Sequence, residues 1–341
     1  MYHTIIIAEA GVNHNGDIEK AKKLISVAAQ SGADYVKFQT FKAEKLVTRL
    51  AEMADYQKAN IDDTSTTQFD MLKNLEMPDE WYLELIEHAN EKGIKFLSTG
   101  FDEESVDFLD SLNLDLFKVP SGEITNRPFL EHIAKKGKKL IISTGMSNLE
   151  EIKEAISVIE SNGIDKKQII VLHCNTEYPT PFVDVNLHAM NTIKTELGVN
   201  VGYSDHTLGI EVSIAAVALG AKVIEKHFTL DKNMKGPDHI ASLSPDELYD
   251  MVSAIRNIEL AIAGNGRKTA SKSEEKNIRN ARKSIHIGRD IKAGKIIERE
   301  DLKMKRPGDG ISPMKINEII GKKTTCDLFV DHQLQLKDIE F

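Results

Sequence analysis

The sequence predicts a TIM-type (β/α)8 barrel followed by a small second domain. Short apolar runs recur at residues 4–10, 35–39, 95–99, 116–121, 139–144, 169–174, 201–206 and 222–228, with amphipathic helix patterns between them. Repeated strand–helix units imply parallel strands joined by right-handed crossovers, and eight of them suit a closed barrel better than an open doubly wound sheet. The chain of 341 residues also suits a barrel of about 250 residues with an appendage. The expected boundaries are 1–263 for the barrel, 264–280 for a linker and 281–341 for the second domain.

The first unit shows how each element is read. T-I-I-I-A-E-A-G gives the opening strand. Asp17 then caps a helix whose stripe is Ile18, Ala21, Leu24, Ile25 and Ala28, and Gly32 ends it. The pattern repeats around the barrel with two interruptions. Residues 41–78 are too long for an ordinary strand-to-helix connection and follow a strand, so they are expected on the catalytic face as a lid. Residues 264–280 are polar and charged without a core pattern, and read as a linker. Beyond them come short strand-like pieces, turn residues at Ala293-Gly294 and Pro307-Gly308, and a short helix pattern near 313–320. About sixty residues are marginal for independent stability, so this domain is expected to lean on the barrel or on a partner chain.

Composition narrows the function. The net charge is −9, which gives no electrostatic support to nucleic-acid binding. The two cysteines, Cys174 and Cys326, suggest a reducing compartment and no disulfide framework. No signal-peptide pattern precedes the first strand, and no apolar run reaches the ~18 residues of a membrane span. The expectation is a soluble cytoplasmic protein without a membrane partner.

In a barrel of this type the active site lies where the strands end. Those ends offer Glu9, then Lys37 and Gln39, Thr99, Lys118 with Ser121 and Glu123, Ser143 and Thr144, His173 and Asn175 with Tyr178 beyond, His206, and His227. Packing alone gives no reason to collect so many polar side chains at one rim. Lys37 and Lys118 replace apolar residues on inward faces, which points to a small site for phosphate or carboxylate. A Schiff-base lysine is the competing functional reading, and lysines reaching the rim to be solvated are the plain one. No glycine-rich nucleotide loop is present, so ATP is not expected.

The stretch from Val201 to Asp238 is read as strand, helix, strand, with His206 and His227 closing the two strands. Two imidazoles from adjacent parallel strands can meet one divalent metal, and Asp205 and Glu225 stand close enough in sequence to orient the rings. The alternative is a pair of structural histidines.

The motifs A-E-A-G-V-N-H-N-G at Ala8, V-K-F-Q-T at Val36, F-L-S-T at Phe96, K-V-P-S-G-E at Lys118, L-H-C-N-T-E-Y-P-T-P at Leu172, G-Y-S-D-H-T at Gly202, E-K-H-F-T-L-D at Glu225, G-P-D at Gly236 and K-R-P-G-D-G-I-S-P at Lys305 together resemble the bacterial sialic acid synthase family. Details of G-V-N-H-N-G-D and L-D-K-N-M-K-G-P-D-H are similar to its N,N'-diacetyllegionaminate synthase branch. The resemblance implies a TIM barrel with a C-terminal antifreeze-like (SAF) domain. It implies a transferase that condenses phosphoenolpyruvate with an N-acylated mannosamine-type sugar, releases phosphate and forms a nine-carbon 2-keto acid. The legionaminate branch uses a 2,4-diacetamido-2,4,6-trideoxymannose, and the neuraminate branch N-acetylmannosamine.

By the same resemblance His206 and His227 hold Mn2+ or Mg2+, and Lys37, Thr99, Lys118, Ser121 and Ser143 bind phosphoenolpyruvate. Asn175 and Thr176 compete for a phosphate contact. Glu9 is the acid/base candidate. Gln39, Glu123, Tyr178 and Asp238 hold the sugar. Arg306 reaches it from the small domain of a second subunit, in a domain-swapped homodimer. One departure is visible: the family's S-T-P-F is here Ser98-Thr99-Gly100-Phe101, which is expected to loosen the loop beside Thr99. Three rivals stand beside this reading: another phosphoenolpyruvate-dependent 3-deoxy-sugar acid synthase, a Schiff-base aldolase, and a carbohydrate-binding protein without activity.

Overall fold

The computed structural model describes residues 3–61 and 67–340, which divide into two compact units, Met1–Ala263 and Gly264–Phe341. In the first, eight strands form one parallel sheet: β1 (Ile5–Gly11), β2 (Tyr35–Thr40), β3 (Lys95–Gly100), β4 (Leu116–Val119), β5 (Lys139–Ser143), β6 (Ile169–Cys174), β7 (Asn200–Asp205) and β8 (Val223–His227). The strand order is β3-β2-β1-β8-β7-β6-β5-β4, so the first strand pairs with the last. The ladder is open only between β3 and β4, which are neighbours in space. This is the expected (β/α)8 barrel.

Each helix follows from its sequence. In Ile18–Gln30 the Asp17 carboxylate accepts from the backbone N–H of Glu19 and Lys20, satisfying donors that the helix itself leaves open. Ala21, Leu24, Ile25 and Ala28 are buried against the sheet, and Gly32 follows with φ +81, a left-handed conformation that glycine adopts without strain. Such helices clothe the outer face of the strands in one continuous apolar layer that includes Ile6, Phe38, Phe117, Ile142 and Ile224.

One expectation changes. Gly100 does not loosen a loop: it is the last residue of β3, buried and in register with Thr40. A Cβ there would come within 3.1 Å of Val106, so the glycine lets the helix Glu103–Ser111 lie close to the strand. The expected lid, 41–78, carries the helices Ala43–Leu46, Asp55–Ile61 and Gln68–Leu75, while 62–66 lie outside the described residues. Phe41, Met53, Met71 and Leu75 give this segment its own small core with Val12.

The second unit has short antiparallel pairs, β9 (Ser284–Ile287) with β10 (Leu302–Lys305) and β11 (Lys323–Thr324) with β12 (Ile339–Glu340). Ile285, Ile287, Ile297, Leu302, Leu334 and Ile339 close a core of their own. Part of the stretch read as a linker is helical, at Lys272–Ala281, with a capping box between Ser271 and Glu274. None of its residues is buried, which is why no apolar periodicity announced it. Among the described residues no helix is long and apolar enough to cross a membrane. Both cysteines are free, Cys174 buried and Cys326 exposed.

Candidate active site

Strand periodicity builds the site in layers. Ile7, Tyr35, Leu97, Leu116, Ile141, Leu172 and Val223 point inward and close an apolar floor. Two residues further along the same strands stand Glu9, Lys37, Thr99, Lys118, Ser143, Cys174 and Glu225, on the same inward face because strand side chains alternate. Ser204 of β7 stands in that same layer, and two residues beyond it come Gln39, Thr176, His206 and His227. The two upper layers line a cavity of about 600 Å3 at the C-terminal ends of the strands. On β7 the floor position is Gly202, where a Cβ would fall 2.3 Å from the Val223 carbonyl oxygen, so only glycine fits there.

Four buried charges occupy the centre. Lys118 Nζ lies 2.9 and 3.0 Å from the two carboxylate oxygens of Glu225. Lys37 Nζ is 2.8 Å from Glu9 Oε2 and 3.7 Å from Glu225 Oε2, and donates to Thr99 Oγ1 at 2.9 Å. Gln39 Nε2 donates to Glu9 Oε1 at 3.3 Å. Burial disfavours every one of these charges, and the neighbours decide each outcome. Glu9 is pushed up to about 7 by burial, only partly offset by Lys37. Burial also opposes the charge on Glu225, but Lys118 and Lys37 hold it below the usual carboxylate range. Lys118 is lowered by burial against the pull of Glu225. Lys37 stays raised, because Glu225 and Glu9 outweigh its burial. The lysines are thus already paired, where the sequence suggested cations waiting for an anion. A bidentate partner also argues against Lys118 as a neutral Schiff-base amine. Ser143 Oγ is buried and has no hydrogen-bond partner among the described residues. Ser121 Oγ accepts from the Gly145 N–H at 3.0 Å.

The histidine rings lie with centroids 5.5 Å apart, and Tyr178 packs 4.0 Å from the His206 ring. Burial holds His206 neutral, at about 4, and drives His227 well below its ordinary value. His206 Nδ1 hydrogen-bonds the Asn175 carbonyl, which fixes that nitrogen as the protonated one. Its Nε2 then carries the lone pair, on a ring that lines the cavity, with Ser204 Oγ 3.5 Å away. His227 Nδ1 is buried without a hydrogen-bond partner among the described residues, 3.9 Å from Asp238 Oδ2. Two neutral imidazoles with a fixed tautomer and an orphaned nitrogen suit a divalent metal with open positions. Among the described residues no group of three or more His, Cys, Asp or Glu is placed to hold a metal, so any ion here would rest on two protein ligands plus water or substrate.

Glu9, Lys37, Gln39, Thr99, Lys118, Ser121, Ser143, Thr176, Tyr178, His206 and His227 all line the cavity. Asn175 does not: its side-chain oxygen accepts from the Glu177 N–H inside its own loop, and Thr176 faces the cavity instead. Glu123 also falls outside the lining, half-buried in the turn Ser121–Glu123 and bonded by Asn126. Asp238 lines a second, adjoining cavity of about 280 Å3. Arg306 is exposed on the second unit. Neither expected carboxylate orients a histidine ring. Asp205 follows Ser204 on the strand and so points to the opposite face, where it meets Lys226 at 3.1 Å with both side chains fully buried. Glu225 is taken by the lysines. Sequence reasoning missed Cys174, Met146 and Gln68 in the lining, and Lys226 behind it. Cys174 was reachable by the same step of two along β6 that gives Glu9 and Thr99.

Comparison with known proteins gives the same outline. The NeuB family model matches residues 24–268, and the SAF domain model matches 282–340. A Campylobacter jejuni protein named N,N'-diacetyllegionaminic acid synthase is 56% identical over 326 residues, covering 95% of this chain and 97% of the relative. A Legionella pneumophila protein of the same name is 49% identical over 338 residues, covering 98% and 94%. Among solved structures, an N-acetylneuraminic acid (sialic acid) synthetase from Leptospira borgpetersenii, in complex with citrate, superposes with a TM-score of 0.70 at 33% identity, covering 82% of this chain and 92% of that one.

Proposed function

The chain belongs to the NeuB family of phosphoenolpyruvate-dependent sialic acid synthases, and on that premise we propose that it joins phosphoenolpyruvate to 2,4-diacetamido-2,4,6-trideoxymannose. The products are phosphate and a nine-carbon 2-keto acid of the legionaminate type. The observation that carries this reading is the inner cavity, where Lys37 and Lys118, the carboxyls of Glu9 and Glu225, several serine and threonine hydroxyls and two neutral histidines converge. The names of the two relatives support the choice of sugar.

Lys37 and Lys118 bind the phosphate and carboxylate of phosphoenolpyruvate, with Thr99, Ser121, Ser143 and Thr176 as hydrogen-bonding partners. Ser143 Oγ, which has no hydrogen-bond partner among the described residues, lines the cavity and is available to such a ligand. Since both lysines are already paired, the incoming anion competes with Glu9 and Glu225 for them. Glu9 yields first, because burial lifts its carboxyl to about 7, whereas Lys118 and Lys37 hold Glu225 ionised. Gln39, Tyr178 and Asp238 hold the sugar so that its aldehyde carbon meets carbon 3 of phosphoenolpyruvate. The family is metal-dependent; His206 and His227 are the residues that would hold Mn2+ or Mg2+, whose chemistry when bound is Lewis-acid polarisation of the aldehyde oxygen.

Forming the carbon–carbon bond moves the aldehyde's C=O electron pair onto its oxygen, which takes up a proton to become a hydroxyl, and leaves positive charge on carbon 2. Water adds there, Glu9 accepts its proton, and the tetrahedral intermediate expels phosphate by breaking its carbon–oxygen bond. The protein works as a two-fold dimer in which Arg306 of one chain completes the sugar site of the other, because the rim needs a cover that excludes water. The test is incubation with phosphoenolpyruvate and each candidate sugar, following phosphate release and product mass. Phosphate release with no sugar, or with N-acetylmannosamine alone, overturns the reading.

A further inference from the structure

The second cavity adjoins the first. Gln39, Gln68, Phe101, Tyr178 and His227 line both, whereas Asp238 lines only the second and the phosphoenolpyruvate side (Lys37, Lys118, Ser143) only the first. The second cavity therefore extends from the sugar end of the site. Its wall is mostly carbon. Phe41, Met71 and Leu75 are buried there, Leu72 and Phe101 are half-buried, and Phe41 and Phe101 meet edge to face at 6.0 Å. Most of this wall comes from the expected lid segment. At the junction stands the side-chain amide of Gln68, half-buried and lining both cavities.

We infer that this apolar annex holds the deoxygenated, N-acylated end of the sugar and makes Leu72, Val47 and their neighbours specificity-determining. The inference rests on the proposed diacetamido substrate. At about 280 Å3 the annex exceeds what a methyl group alone would fill, and accommodates an acetamido group with a methyl beside it. The sugar's C6 methyl and the methyl of its C4 acetamido group lie against the aromatic and aliphatic wall, and the C4 amide bonds the side-chain amide of Gln68. A sugar carrying hydroxyls at both positions would leave them facing carbon without partners. Pockets of this kind reject an added hydroxyl by about a hundredfold.

The experiment compares kcat/KM for 2,4-diacetamido-2,4,6-trideoxymannose and N-acetylmannosamine in the wild-type protein and in Leu72→Gln and Val47→Phe. Leu72 and Val47 are half-buried, so both substitutions are compatible with folding. The wild type is expected to prefer the diacetamido sugar by about a hundredfold or more. Leu72→Gln makes the wall polar and Val47→Phe fills it. Each should reduce that ratio at least roughly tenfold, with the KM for phosphoenolpyruvate unchanged. A measurement that needs no variant is saturation-transfer NMR on the wild type, in which the C6 and C4-acetyl methyl protons should take up magnetisation more strongly than the ring protons. A wild-type preference for N-acetylmannosamine overturns the substrate reading and this inference with it. A wild-type preference for the diacetamido sugar that both variants leave intact, or variants that slow both sugars equally, overturns the annex alone. Uniform saturation transfer over the diacetamido sugar does the same.

Discussion

Glu9 and Lys37 show how single residues acquire their properties from burial. A carboxyl at about 7 is half ionised near neutral pH, which suits a group that must take a proton from water. Raising the pH through 7 ionises it, so activity should climb over pH 6–8 with an apparent pKa near 7. Glu9→Gln should lower kcat by roughly 10²–10⁴ and abolish that rise. An unchanged pH profile in Glu9→Gln would assign the titration to another group. The histidines make a second prediction at this scale. His206 and His227 are neutral at pH 7, so they are ready to bind a metal without first losing protons. EDTA should abolish turnover and Mn2+ should restore it. His227→Ala should lose metal affinity in a direct binding titration while its unfolding curve stays cooperative. Full activity after exhaustive chelation would remove the metal from the reaction.

At the scale of elements, the ends of β7 and β8 are tied from behind. Lys226 and Asp205 form a fully buried pair on the outer face, and Asp205 also accepts hydrogen bonds from Thr207 and Ser213. The residues that follow this pair, His206 and His227, face the cavity. Removing one partner strands the other charge, so Lys226→Met should destabilise the protein by about 3–5 kcal/mol in urea unfolding. The double variant with Asp205→Asn should regain part of that loss, and a single variant as stable as wild type would show that breaking the pair leaves no uncompensated buried charge. This pair also marks the limit of what was legible in the sequence. Periodicity of two located the inward residues strand by strand, which is why Glu9, Lys37, Thr99, Lys118 and Ser143 were found together. The same rule, applied to Asp205, would have turned it away from His206; proximity in sequence was mistaken for proximity in space. Glu225's pairing with Lys118 joins residues 107 positions apart, and no local pattern encodes it. The annex was illegible for a similar reason, since its wall is gathered from loops after different strands and from the long segment 41–78.

The whole molecule consists of two units, each with its own apolar core. The second was expected to be marginal from length alone, yet its isoleucines and leucines converge in three dimensions from pieces too short to show periodicity. Arg306 is exposed on this unit, and the proposed dimer is tested through it. Arg306→Ala and His227→Ala should each be nearly inactive as homodimers, and refolding them together should restore activity in mixed dimers that pair one good barrel with one good arm. A mixture that stays inactive after proven subunit exchange would place Arg306 in cis. The chemistry proposed for the barrel is tested most directly by one labelling measurement. Phosphoenolpyruvate carrying a heavy isotope at the oxygen that bridges carbon and phosphorus is incubated with the protein and 2,4-diacetamido-2,4,6-trideoxymannose, and both products are weighed by mass spectrometry. Addition of water at carbon 2 predicts a nine-carbon 2-keto acid formed together with phosphate that holds all of the label. Label retained in the keto acid, or no nine-carbon product at all, would contradict it.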